Sequence, residues 1–367
     1  MTKKIKNLMF YTPTLSFCIF ILLNPYQSAY YCKKALEMCA NSVVPSLFTF
    51  IVLSKIISGY TCSYTNISKK GITDRLFCLP KVLIPTALLG LFFGAPSGAV
   101  SVCDTYKKGL CTKKQAEAAI TLCNNASAAF IMSIAASVLQ STRLAFLLLA
   151  SNILTTLTVY FLLFRSGQVY LEKTSITQNK EKIRFSNLIC YCVKDGAVST
   201  VTLCGYIVLF YTLSGIIQDK VHQALQHSIS QSNMSNIRAL ISSFFEMSQG
   251  TLSCSLCEGN IKIILCCACI AFCGLSIIFQ VTSVMSEAGL SSKNYLLSKI
   301  ASAFLCPLFM LLFMFLIPEK TVSVSNFIPL HTEGISSKSL VTGIFILAIF
   351  AFGVHILSFV DKSNKNN

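Results

Sequence analysis

Long runs without Asp, Glu, Lys or Arg alternate with short polar connections along most of this chain. Roughly 20 apolar residues cross the hydrocarbon of a bilayer, and a charge at its centre costs about 2.5 kcal/mol or more. Such runs therefore predict membrane helices. They extend from Asn7 to Cys32, Met38 to Ser54, Val82 to Cys103, Ala118 to Thr142, Leu144 to Phe164, Gly196 to Gln218, Ile263 to Ser286, Ile300 to Pro318 and Ser339 to Val360. A weaker segment, Ala239 to Cys257, carries Glu246 in its middle. The first run follows Lys3, Lys4 and Lys6 as in a signal peptide, but Asn24 to Tyr31 shows no small-x-small cleavage pattern. Residues 1–36 read as a retained anchor, and residues 318–367 as a C-terminal helix and tail.

Composition agrees with the pattern. Of 367 residues, 54% are hydrophobic and 12% charged, against about 25% charged in soluble proteins. This excludes a soluble enzyme, a nucleic-acid module and a disulfide-stapled secreted domain, and makes the lipid bilayer the first partner. The net charge of +16 would point to an acidic partner in a soluble protein; in a membrane protein it marks cytoplasmic loops. Basic residues cluster at the N-terminus, at Lys69 to Lys81, at Lys107 to Lys114 and at Arg165 to Arg184. If all four clusters share one side, Val82 to Cys103 enters and leaves on that side as a re-entrant or broken helix. Gly90, Gly94, Pro96 and Gly98 allow it. One kinked crossing with a lysine cluster outside is the competing reading. The polar segment 165–184 reads as a linker, and Asp219 to Arg238, with His222 and His227, as a solvated loop.

A shift of 180 residues places Gly94 on Gly274, Gly109 on Gly289, Leu110 on Leu290 and Lys113 on Lys293. Each copy reads as an apolar helix, a small-residue break, about four turns, a Gly-Leu corner and a new helix opening with Lys. The expected fold is thus an all-α polytopic integral membrane protein with two repeats, 37–164 and 185–317, that contain broken or re-entrant helices. Broken helices in corresponding positions point to a solute site near the midplane.

The candidate solute contacts are Gly94, Pro96, Ser97 and Gly98 at the first break, Asn124 and Asn125 in the following run, and Gly274, Ser276 and Gln280 at the second. Unwound backbone offers free N–H and C=O groups to a ligand, and buried amides need partners. Helix packing is the alternative use of the same small residues. Glu246 is a candidate for coupling an ion or proton; the alternative places it at the interface, facing water. Cys254 and Cys257 form a C-x-x-C without a second pair, so the eighteen cysteines read as reduced and structural. No nucleotide loop, H-E-x-x-H or G-x-S-x-G motif occurs. The expectation is a protein that is not an enzyme and uses no metal or cofactor. A second copy, in a homo-oligomer, is a further partner the reading allows.

Taken together, Val44-Pro45-Ser46-Leu47-Phe48, Gly94 to Ala99, Lys107 to Thr112, Ala116-Glu117-Ala118, Asn124 to Ser127 with Phe130-Ile131, Phe245-Glu246 with Gly250, and Phe272 to Ser276 with Gln280 resemble a known family. It is the nucleoside-recognition, or Gate, domain of YlbJ-type (SpoVV) sporulation integral membrane proteins. The resemblance covers roughly Asn41 to Leu312. The chain departs from the family at Ala95, where an aromatic is usual, at Val100, where a Lys is usual, and at Thr49 and near Ala129, where Pro is usual. What the resemblance implies is two Gate-like repeats and transport of dipicolinic acid, across the cell membrane or the forespore outer membrane. A nucleoside-type carrier and a non-transporting protein of spore envelope or cortex assembly are the alternatives.

Overall fold

Helix is the only regular structure among the described residues of the computed structural model, which are 18–64, 79–80, 82–123, 125–164 and 185–317. The predicted helix Ser339 to Val360, the linker 165–184, the first 17 residues of the anchor and Asn124 lie outside them. Pro25 sets the first turn of α1 (Pro25–Met38), where its missing N–H costs nothing. A π-helical turn, Cys39–Val43, then carries the chain into α2 (Val44–Tyr64). The elements that follow are α3 (Leu83–Phe93), α4 (Ser97–Lys107) and α5 (Lys113–Cys123). Next come α6, built from Ala128–Phe130, the π-helical turn Ile131–Ala135 and Ala136–Leu139, and then α7 (Thr142–Phe164). The second half comprises α8 (Phe185–Leu225), α9 (Gln231–Phe245), α10 (Met247–Ser253), α11 (Gly259–Phe272), α12 (Gly274–Glu287) and α13 (Lys293–Leu316).

Among the described residues, four helical segments are long and apolar enough to cross a membrane: α7, α8, the joined α11–α12 and α13. A fifth results if α1 and α2, bent by 53°, make one span. Their outward faces are what lipid requires. Phe304, Leu308 and Phe315 of α13 are 71%, 59% and 82% exposed, more apolar surface on one helix than a water-facing protein keeps. The protein is an α-helical membrane protein. Its α8 spans 41 residues, about 60 Å against roughly 30 Å of hydrocarbon, so its polar end lies beyond the bilayer core. Much of the expected loop Asp219 to Arg238 is therefore helix, in α8 and α9. The stretch holds no Gly or Pro to stop it.

Two short elements reverse direction inside the bundle. Gly90 of α3 and Gly98 of α4 would be ~12 Å apart along one helix. Yet a Cβ built on either would sit 2.9 Å from the other's Cα. The chain thus folds back at Gly94 to Pro96, and α3–α4 is a re-entrant hairpin rather than a kinked crossing. The second reversal falls at Glu246: a Cβ on Gly250 of α10 would stand 2.7 Å from the Ser243 nitrogen of α9. The expected segment Ala239 to Cys257 is therefore also a hairpin.

Each hairpin is followed by a helix that breaks and runs on. The expected single run Ala118 to Thr142 stops at Cys123 and resumes at Ala128. Asn and Ser side chains compete with the helix for its backbone groups, and Ser127 takes the cap by accepting from the Phe130 N–H at 3.1 Å. The second broken helix, α11–α12, turns through Cys273 and Gly274, at φ +72° and +74°. A single span, α7 or α13, completes each half, and α2 and α8 precede the two hairpins.

This order and the 180-residue shift pair different segments. The local succession of break, Gly-Leu corner and Lys-opened helix holds at a shift of 180. Gly109 and Gly289 both sit at φ +71°, and Leu110 and Leu290 donate back to Thr105 and Met285, the closure expected of a left-handed glycine after a helix. In the order of elements, α3–α4 and α9–α10 are the two hairpins, and α5–α6 and α11–α12 the two broken helices. The packing follows the same pairing: α4 lies on α12 as α10 lies on α6, α5 on α13 as α11 on α7, and α7 packs against α13 across the centre. A buried ion pair, Lys55 of α2 with Asp195 of α8, and the Ser54–Ser101 contact at 3.3 Å tie the outer helices to this core.

Candidate functional site

The two reversals meet the two breaks. At the first crossing the Ala95 N–H donates to the Asn125 carbonyl at 2.7 Å, and a Cβ on Gly94 would touch the Ser127 nitrogen at 2.7 Å. Ser97 donates to the Gly94 carbonyl at 2.7 Å and closes the hairpin tip. At the second crossing a Cβ on Gly274 would lie 2.9 Å from the Met247 nitrogen and 3.1 Å from the Glu246 Cα. Each crossing thus pairs the N-termini of two half-helices, α4 with α6 and α10 with α12. Opposed N-termini concentrate partial positive charge and favour an anion between them.

Glu246 is 1% exposed, and its Oε2 accepts from the Gln249 N–H at 2.6 Å. It caps α10, a role its sequence position in a supposed unbroken segment did not reveal. It is buried rather than facing water, so the interfacial alternative fails. Gly94, Pro96, Ser97 and Gly98 are buried at the first crossing, and Gly274 at the second.

Several buried polar atoms around these crossings have no protein partner. They are the Asn125 amide nitrogen, the Ser276 hydroxyl, both amide atoms of Gln280 and the Gln249 amide oxygen. Their residues are 5%, 0%, 4% and 8% exposed respectively. An unpartnered buried polar atom costs about 1–3 kcal/mol, so four such residues beside two crossings describe a site that gains by accepting a ligand. Ser276 and Gln280 are four residues apart on α12 and share one face. Asn125 was among the sequence candidates; Gln249 was not, because nothing in its spacing set it apart.

Lys299 was also missed. It lies in α13, 3% exposed, and its Nζ donates to the Cys273 Sγ at 3.3 Å, at the second break. It is also within electrostatic range of Cys123, which ends α5 at the first break. In the sequence it bounded the uncharged run Ile300 to Pro318 and so counted as a loop charge.

Cys254 and Cys257 are free thiols. Burial pushes the Cys254 thiol up, and the Cys257 thiol too despite the nearby Lys262; neither is a ready thiolate. Among the described residues no cluster of His, Cys, Asp or Glu has the arrangement to hold a metal ion. No family model, curated protein or solved structure matches the chain.

Proposed function

We propose that this protein carries a small anionic solute across a membrane, and that the solute belongs to the class of dipicolinic acid, moved during sporulation across the cell membrane or the forespore outer membrane. The observation that carries the transport reading is the set of unpartnered buried polar atoms at Asn125, Ser276 and Gln280 beside two crossed helix breaks. A protein built only for packing would fill those positions with apolar side chains and gain stability. The ordered resemblance of the motifs to Gate domains supports the choice of solute. The two halves then act as Gate-like repeats, each contributing a hairpin and a broken helix to one site. Asn124, Asn125 and Gln280 orient the solute, and Glu246 couples its movement to an ion or proton.

Equilibrium binding of labelled dipicolinate to the purified protein tests the site. Asn125→Leu and Gln280→Leu should each weaken binding by roughly tenfold, the worth of one buried hydrogen bond to a charged group. They should also raise the thermal stability of the empty protein, since each removes an unpartnered group. Unchanged affinity in both variants would return these residues to packing. Displacement by uridine at equal concentration would favour the nucleoside-type alternative.

A further inference from the structure

We infer that Lys299 is the residue that selects for negative charge, by pairing its ammonium with a carboxylate of the bound solute. This rests on the solute-site reading above and sharpens it. A lysine 3% exposed within a membrane span keeps its charge only with a partner, since an unpaired buried ammonium is among the most costly groups a protein can hold. Among the described residues the one ion pair is Lys55–Asp195, so no carboxylate lies within 4 Å of Lys299. Glu246, at the neighbouring hairpin tip, has its Oε2 committed to the Gln249 N–H. The recorded partner of Lys299 is the Cys273 thiol, a weak acceptor, which takes one of three ammonium hydrogens. The Tyr295 ring, 5.9 Å from Nζ, is at the limit of cation–π attraction.

The surroundings raise the positive potential. Cys273 is the N-cap of α12, so the ammonium is held at the positive end of a fourteen-residue half-helix. The acid at this end of α12 is Glu246, whose Cα would lie 3.1 Å from a Cβ on Gly274 and whose carboxylate is held on the Gln249 N–H, while the unpartnered Asn125 amide N–H group and the Ser276 hydroxyl stand at the same two breaks. A cation, a helix N-terminus and spare hydrogen-bond donors, all buried, are complementary to a carboxylate. The helix that carries Lys299, α13, packs against both α5 and α11.

The test compares two ligands of one shape, dipicolinate and its neutral diamide, pyridine-2,6-dicarboxamide, binding to the full chain in detergent. The wild type should prefer dipicolinate by roughly 10- to 100-fold, the range for a buried hydrogen-bonded charge pair. Lys299→Gln should bring the two affinities within about twofold, and Lys299→Arg should restore the preference. Lys299→Met guards against misfolding: a folded protein with the diamide still bound and the preference gone supports the same conclusion. Equal binding of both ligands to the wild type, or an intact preference in Lys299→Gln, overturns the role of Lys299 while the solute site stands. Binding of neither ligand to folded wild type overturns both.

Discussion

Gly98→Ala and Gly250→Ala are expected to destabilise the folded bundle by about 3 kcal/mol or more each, the upper end for overpacking a tight core. At Gly98 the new methyl would meet the Cys123 carbonyl and the Gly90 Cα, and at Gly250 it would meet the Ser243 backbone. In both places the obstacle is main chain, which cannot turn aside as a side-chain tip does. Moving it would open the hairpin crossing on which the buried polar groups depend. Gly205→Ala is the control: nothing lies within 4 Å of a Cβ there, and Ala in a helix interior gains about 0.5–1 kcal/mol over Gly. Thermal denaturation in detergent should show large losses for the first two variants and none for the third. Equal melting of all three would mean that the hairpins do not cross as closely as described.

Glu246→Gln should fold yet lose concentrative uptake. The carboxylate has a structural duty, capping α10 through the Gln249 N–H, and a glutamine oxygen can keep that hydrogen bond while removing the charge. Glu246→Ala removes both, and should additionally cost about 1–2 kcal/mol for the lost cap. In vesicles with an imposed ion or proton gradient, the wild type should accumulate solute above the outside concentration. Glu246→Gln should only equilibrate it, with a melting point close to wild type. Accumulation by Glu246→Gln at the wild-type level would reduce Glu246 to its capping role.

The helices and their breaks were largely legible because both depend on local chemistry. Uncharged runs must be helical in lipid, and Gly94 to Gly98 and Cys273-Gly274 interrupt them with residues that tolerate unusual backbone. The reversals were less so. A break that kinks and a break that turns back have the same composition; what separates them is whether small residues on both sides, such as Gly90 and Gly98, stack against a third backbone. That is a tertiary fact. The repeat was legible only as a local pattern for a related reason: a Gly-Leu corner is a closure that recurs after any helix, so it matched the α4–α5 and α12–α13 connections without fixing how the two halves pair.

Within the site, Asn125, Ser276, Gln280 and Glu246 were legible because polar groups inside apolar runs stand out. Lys299 was not, for the opposite reason. It ended a run, and a charge that ends a run reads as an interfacial residue until α13 is seen to begin six residues earlier, at Lys293.

The central claim is that the paired crossings form a pathway for a small anion, and uptake of labelled dipicolinate into proteoliposomes containing the purified protein tests it most directly. Uptake should saturate, compete with excess unlabelled dipicolinate and exceed that of protein-free liposomes. Uptake indistinguishable from protein-free liposomes, with the protein folded by its melting transition, would contradict it.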